Sequence, residues 1–512
     1  MRKRKLMTII WNVTIITTMS IDQETLKTER NAPWREALRS ATKNKDRIAI
    51  GRVHMPELPP HVRVRFQDRE VNMGLCLESA MHEATRCMDC VNPTCIEGCP
   101  VSINIPKFIK YIEAGEILSA AATLKETNAL PAVCGRVCPQ EKQCESRCFY
   151  VEKLNKPAVA IGYLERFAAD YERESGACNI PATAAPNGIK VATVGSGPAA
   201  LSFAGDMVKS GYDVTVFEAL HEIGGVLKYG IPEFRLPNSI VDFELENLRK
   251  MGVRFVTNFI VGRTASFDEL KKEGYRGFFI GSGAGLPRFM DIPGENYNGI
   301  LSSNEYLTRV NLMGAYLNGS DTPVPRGKNV AVIGGGNTAM DSVRTALRLG
   351  ASRAMIIYRR SEVEMPARIE EVKHAKEEGV EFLTLCNPVE YFADQNGRVC
   401  RMRCNRMGLG DPDASGRRRP VVIEGSEFDL DVDLVIVAVG VSPNPLVPSC
   451  LPDLKITKWG TIIVDEEKMQ SSVPELFAGG DIVRGGATVI LAMGDGRRAA
   501  EHMHNYLTGE MT

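Results

Sequence analysis

At 512 residues the chain is long for a single core and asks for roughly two to four domains. Apolar residues make up 44% and charged residues 24%, a globular balance. With 62 basic and 63 acidic residues and a net charge of -1, the balance argues against a nucleic-acid groove or polybasic membrane anchor as the main function, and no apolar run approaches the ~20 residues of a bilayer span.

The first eighteen residues, "MRKRKLMTIIWNVTIITT", imitate a signal peptide, but Asn12 and the threonines interrupt the apolar stretch and no small-residue cleavage site follows. Met19 opens a polar, helix-starting sequence and is read as the true start, with residues 1–19 a disordered leader or a non-native start; export is the alternative. Residues 20–86 are polar and helix-prone, with "MPELPPHVR" expected as an extended break at its prolines. "IPKFIKYIEAGEILSAAATLKET" then reads as helix, and "IPATAAPNG" (Ile180 to Gly188) as a linker.

Fourteen cysteines are present, eight of them between Cys87 and Cys148. The six scattered ones (Cys76, Cys178, Cys386, Cys400, Cys404, Cys450) are expected to be buried small apolar side chains. The period-two pattern of "VCRMRCN" marks a half-buried strand.

Beyond the linker the texture becomes α/β. "IKVATVGSGPAALSFAGDMVKSGYDVTVFEA" reads strand, glycine turn, helix, strand, and "KNVAVIGGGNTAMDSVRTALRLGASRAMIIYRRS" repeats the plan about 140 residues later. Gly195, Gly197 and Ala200 form G-x-G-x-x-A: the first glycine makes the turn, the second admits a pyrophosphate, and the small third residue lets helix and strand pack. Glu218 stands 23 residues after Gly195, where an acid binds a ribose hydroxyl. Gly334, Gly336 and Ala339 repeat the frame, but the strand that follows ends in Arg359 and Arg360, which suit the 2′-phosphate of NADP. One acid-ended and one arginine-ended site call for two nucleotides, and FAD with NADPH is the natural pair. "AGGDIV" places Asp481 at a strand end within reach of a flavin ribityl or phosphate, and the "GGATVILAMGDGRRAA" helix can aim its N-terminus at the flavin ring. No C-x-x-C pair follows Cys178, so the flavin must pass its electrons elsewhere.

The clustered cysteines read C-x2-C-x4-C-x3-C-P and then C-x3-C-P-x4-C-x3-C. Disulfides do not suit a cytoplasmic nucleotide-binding chain. Zinc is an alternative, although only one C-x2-C hook is present. Runs in which a cysteine before proline serves a second cluster are the iron–sulfur style, and such clusters carry off singly the two electrons that a hydride delivers to a flavin.

"ALPAVCGRVCPQEKQCE", "GGVLKYGIPEFRLP", "YRRSEVEMPAR" and "FAGGDIVRGGATVILAMGDGRRAA" together resemble the small (beta) chain of NADPH-dependent glutamate synthase, from about residue 35 to the C-terminus. The same module is similar to the large subunit of the bifurcating NADH-dependent ferredoxin–NADP oxidoreductase and to the N-terminal part of dihydropyrimidine dehydrogenase. The resemblance implies FAD, NADPH and two [4Fe-4S] clusters. It gives one cluster to Cys87, Cys90, Cys95 and Cys148, and the other to Cys99, Cys138, Cys144 and, unusually, Glu165, leaving Cys134 spare beside them. Gly225 and Thr488 join the flavin residues and Asn337 the NADPH residues.

The implied fold is α/β behind a helical iron–sulfur domain, with an NADPH domain inserted in an FAD domain. The expected boundaries are 20–180 for the clusters, 189–325 and 435–512 for FAD, and 326–434 for NADPH. No amidotransferase portion is present, so glutamate synthesis requires a large (alpha) chain or added ammonia. The alternatives are a subunit of a bifurcating oxidoreductase, whose partner is a smaller flavin/[2Fe-2S] chain or ferredoxin, and a non-catalytic scaffold subunit. No residue is expected to act as acid or base.

Overall fold

The computed structural model describes residues 22–413 and 416–509. The expected leader at residues 1–19, with its choice of start, lies outside them. The chain divides into two compact units, one formed by Pro60–Gln67 with Pro287–Gly440, the other by Asp68–Leu286 and Val441–Thr512 with the described part of Thr18–Pro59.

The larger unit begins with helices α1 (Gln23–Arg30) and α2 (Pro33–Ala41). Asp22 caps α1 by accepting from the Thr25 amide at 3.0 Å. Then follow α3 (Leu77–Thr85), α4 (Ile105–Glu113), α5 (Ile117–Thr127), α6 (Pro131–Val137) and α7 (Ile161–Ser175). Proline opens α2 and α6 and follows Ile105 in α4, where its missing N–H costs nothing. Gly115 (φ +81°) breaks the long apolar stretch into α4 and α5.

The nucleotide fold of this unit is a parallel sheet of β1 (Lys190–Val194), β2 (Asp213–Phe217), β3 (Arg254–Val256), β4 (Tyr275–Ile280) and a late strand, Leu476–Ala478. The spatial order is Leu476–Ala478, β4, β1, β2, β3. Helices α8 (Pro198–Lys209) and α9 (Asn238–Met251) cross over between strands, so β1 is buried on both faces and reads as an uninterrupted apolar run. The fully buried Leu201 and Phe203 of α8 each contribute about 1.5–3 kcal/mol.

The smaller unit carries a second parallel sheet, from β5 (Ile300–Ser302), β6 (Asn329–Ile333), β7 (Arg353–Tyr358), β8 (Glu381–Thr384) and the later strand Leu434–Val437, in the order β5, Leu434–Val437, β6, β7, β8. Helices α10 (Asn337–Arg348) and α11 (Ile369–Glu377) belong to it. An antiparallel sheet of β9 (Cys386–Ala393), β10 (Val399–Pro412), β11 (Arg418–Val422) and β12 (Phe428–Asp431) is inserted, and β13 is the strand Leu434–Val437 that closes the parallel sheet. In the larger unit Leu476–Ala478 is then β14, and the long helix Val489–Thr508 is α12.

Two sequence expectations need correction. The segment "MPELPPHVR" is not extended throughout: Pro60 starts a one-turn helix, Pro60–Arg63. The physical reason is Arg63, fully buried and donating to Glu378 (2.9 Å) and Glu377 (2.8 Å). The scattered cysteines are also not uniformly buried: Cys386 and Cys404 are, Cys178 and Cys450 are half-buried, and Cys76 and Cys400 are exposed. A register shift between Phe392 and Ala393 in the β9–β10 pairing changes the alternation, so that Val399, Met402 and Cys404 are buried and Cys400 faces solvent.

Candidate functional site

The first glycine turn leads straight from β1 into α8. Gly195 has φ +93°, and a Cβ there would lie 2.8 Å from the Gly281 carbonyl oxygen. Gly197 is the N-cap of α8, leaving its first amides open for an anion. Ala200 is fully buried and packs against Gly281, the close approach its small size permits. Glu218 follows β2; its carboxylate accepts from the Ser196 amide (2.9 Å) and hydroxyl (2.6 Å), and from the Leu220 amide (2.8 Å). Gly225 (φ +55°) comes up against the backbone of Gly197. The Ser196 hydroxyl also accepts from the Gly224 amide at 3.0 Å, so Ser196 ties three turns into one cradle. Sequence reasoning missed it, since a serine inside a glycine motif carries no spacing signal.

Asp481 follows β14 and Gly479–Gly480, opening a short helix. Its carboxylate accepts from the Ala487 amide at 2.8 Å, and burial raises its pKa to about 6. Thr488 caps α12 by accepting from Leu491 N (3.4 Å). The helix therefore begins at Val489, and the "GGA" before it is the approach loop.

In the second nucleotide fold Gly334 (φ +139°) would bring a Cβ within 2.4 Å of the Ala438 carbonyl oxygen, so only glycine fits. Gly336 is the N-cap of α10, and Ala339 is fully buried. Asn337 accepts from the Arg368 amide at 2.8 Å, holding the "YRRSEVEMPAR" loop over the helix start. The two arginines differ: Arg359 is exposed at the end of β7, whereas Arg360 is buried, ion-paired to Asp413 (2.8 Å) and donating to the Arg418 carbonyl (2.8 Å).

The clustered cysteines converge on two cavities. Cys87, Cys90, Cys95 and Cys148 line one, with Tyr150 and Arg147. Cys99, Cys138, Cys144 and Glu165 line the other, with Gln140, Gln143 and Ile490. The first four are half-buried; all members of the second set are buried. Burial and then the neighbouring Cys87 and Cys148 push the Cys90 thiol to about 12, and burial pushes Cys99 to about 12. Burial also raises Glu165 to about 8, although Asn128 donates to it at 2.9 Å. Converging soft donors whose anionic forms repel one another in a low-dielectric site need a cation among them, and an iron–sulfur core supplies it. The residues fit such a group. Cys134 lines neither cavity: its sulfur lies 3.6 Å from Met493 Sδ and 3.7 Å from Asn128 Oδ1.

The two halves of this unit meet at α12. Gln143, on the second cavity, donates to the Thr488 hydroxyl at 3.4 Å, and Ile490 lines the same cavity. Ala132 of α6 donates to Glu244 of α9 at 2.7 Å, which fastens the cysteine helices to the nucleotide fold a second time. Neither contact could be read from spacing, because each joins segments more than a hundred residues apart.

Two dinucleotide folds, one with an acid at its second strand and one with an arginine, joined to two thiol-lined cavities, define a flavin- and pyridine-nucleotide-dependent iron–sulfur oxidoreductase. Residues 64–177 match the family described as dihydropyrimidine dehydrogenase domain II, 4Fe-4S cluster, and residues 189–496 match pyridine nucleotide-disulphide oxidoreductase. The chain is 39% identical over 469 residues to the glutamate synthase [NADPH] small chain of Azospirillum brasilense, covering 89% of this chain and 96% of that one. It is 37% identical to the same small chain of Escherichia coli (strain K12), covering 90% and 98%. The NADP(+)-dependent formate dehydrogenase subunit beta of Moorella thermoacetica is 40% identical over 441 residues, 81% of this chain and 60% of that protein. Among solved structures, FprA from Mycobacterium tuberculosis shares the fold with a TM-score of 0.53 at 20% identity, covering 63% of this chain and 85% of that one. The chain belongs to the family of the NADPH-type glutamate synthase small chain. It is an NADPH-dependent oxidoreductase whose cofactors are FAD and [4Fe-4S] clusters. Among the described residues no helix is long and apolar enough to cross a membrane.

Proposed function

We propose that the chain is the electron-entry subunit of an NADPH-dependent glutamate synthase in the cytoplasm, working with a large (alpha) chain. The observation that carries this reading is the direct contact of Gln143 with Thr488, which puts a thiol-lined cavity against the helix assigned to the flavin. When bound, the flavin accepts a hydride from NADPH and the clusters take its two electrons one at a time.

The assignments follow. Residues 20–180 form the iron–sulfur domain, 189–325 and 435–512 the FAD domain, and 326–434 the NADPH domain. Gly195, Gly197, Ala200, Glu218, Gly225, Asp481 and Thr488 hold FAD; Gly334, Gly336, Asn337, Ala339, Arg359 and Arg360 hold NADPH. Cys87, Cys90, Cys95 and Cys148 hold the outer cluster; Cys99, Cys138, Cys144 and Glu165 hold the inner one. No side chain needs to move a proton: the protein binds, orients and keeps water out. Beside the outer site Lys110 donates to the Cys87 carbonyl at 2.6 Å and is ion-paired with Glu113, whereas the inner site has a carboxylate among its donors.

A second reading, in which the same module serves a different large chain or a smaller flavin/[2Fe-2S] chain, is supported by the 40% identity to the formate dehydrogenase subunit. The deciding experiment is an anaerobic pull-down of the tagged chain from its own cells with the stoichiometric partner identified by mass. A very large partner with amidotransferase and FMN chemistry supports the glutamate synthase reading. A partner of another kind overturns it.

A further inference from the structure

Helix α12 carries Gly494 and Gly496 in its interior, on either side of Asp495. Each interior glycine costs a helix about 1 kcal/mol relative to alanine, so this pair needs a compensating reason. Neither has a positive φ, so backbone conformation is not that reason. The surroundings supply one. A Cβ on Gly494 would lie 2.7 Å from the carbonyl oxygen of Pro100, the residue after Cys99. A Cβ on Gly496 would lie 2.2 Å from the carbonyl oxygen of Ala199, in the first turn of α8. Between them Asp495, fully buried, accepts from the Gly480 amide at 3.0 Å, immediately before Asp481, and pairs with Arg484 and Arg498, each at 2.6 Å.

Three consecutive residues thus touch three different pieces of the electron path: the inner-cluster loop, the Asp481 turn and the pyrophosphate-binding helix. We infer that Gly494-Asp495-Gly496 is the spacer that fixes how closely the inner cluster approaches the flavin. This rests on the assignment of those two sites under Proposed function and adds a positioning role that no ligand contact requires. The two electrons of one hydride leave the flavin singly, one to each cluster, so their transfer depends on this separation, while hydride arrival from NADPH does not.

The test is Gly494→Ala in the full holoprotein, which adds one methyl, relieves helix propensity and can be seated only by moving the Pro100 loop away. Gly205→Ala is the control, a helical glycine of α8 whose added Cβ would meet only side chains, the nearest at 3.2 Å. Three quantities are followed: bound iron and FAD, backbone amide exchange across residues 99–104, and stopped-flow absorbance separating flavin reduction by NADPH from the later bleaching of the clusters. Gly494→Ala should keep its iron and FAD, raise exchange in 99–104, leave flavin reduction within about twofold, and slow cluster bleaching by more than that. Gly205→Ala should change none of these. Unchanged bleaching in Gly494→Ala overturns the inference, as does an equal loss in both phases. If Gly494→Ala does not fold, Asp495→Asn loosens the spacer at its middle residue by weakening the pairs with Arg484 and Arg498; unchanged amide exchange across 480–487 together with unchanged bleaching in that variant also overturns it. A wild-type protein that binds no iron or no FAD overturns the underlying site assignment instead.

Discussion

Arg359→Ala separates the roles of two adjacent arginines that look equivalent in sequence. In the structure Arg359 stands exposed at the end of β7, whereas the Arg360 guanidinium is buried and already paired with Asp413 at 2.8 Å. A charge-assisted hydrogen bond to a phosphate is worth about 1.5–3 kcal/mol. Solvent exposure places Arg359 at the lower end, and about 1.4 kcal/mol corresponds to a tenfold change in Kd. Arg359→Ala should therefore weaken NADP+ binding roughly tenfold and leave NAD+ binding unchanged, measured by titration calorimetry of the oxidised nucleotides so that no turnover intervenes. Arg360→Ala should behave differently, because it also removes the ion pair to Asp413 and the donor to the Arg418 carbonyl at the β10–β11 hairpin. It should lower the melting temperature as well as the affinity for NADP+. Equal losses for NADP+ and NAD+ in Arg359→Ala refute the 2′-phosphate assignment.

In the smaller unit the fully buried Glu378 carboxylate accepts from Arg63, Arg344 and Arg348 at 2.7–3.1 Å. Glu378→Gln strands buried cations at a cost of about 3–5 kcal/mol and should lower that unit's calorimetric transition by roughly 10 °C. Arg63→Met should lower it less, because two arginines still hold Glu378; the reverse order contradicts the account. Burial raises Glu244 to about 7 from 4.5, so the folded state holds its proton more tightly than the unfolded chain. The Glu244 contribution to stability is then fully present below about pH 4.5 and is lost as pH rises through 7, by about 3 kcal/mol. Glu244→Gln, which keeps an acceptor for the Ala132 amide, should gain melting temperature relative to wild type between pH 5 and 8, and parallel melting curves refute this. Cys95→Ser and Cys144→Ser should each lower bound iron from about eight to about four atoms per chain, while Cys134→Ala keeps the full content by colorimetric assay; loss of iron in Cys134→Ala refutes its placement outside both sites.

The sequence alone determined the local chemistry, because nucleotide loops and thiol clusters are built from residues close together in the chain. Gly195, Gly197 and Ala200 must follow one strand and open one helix, and the structure has them there. The two parallel folds and the cysteine-rich helical start were legible in the same way, as strand–glycine–helix periods and compact spacing, whereas the interrupted arrangement was implied by the resemblance to the small-chain family. Burial and partnership were not legible, because they depend on segments far apart in sequence. Nothing around Arg63 announces that Glu378 will bury it, and a one-turn helix replaces an expected extended segment as a result. Arg359 and Arg360 are neighbours of identical charge, and only a hairpin more than fifty residues on decides that the second is paired. Cys400 reads as core from its alternation, yet one register shift turns it outward. The meeting of Gln143 with Thr488 and of Pro100 with Gly494 belongs wholly to the tertiary structure: close packing of distant segments sets those distances, and close packing leaves no period in the sequence.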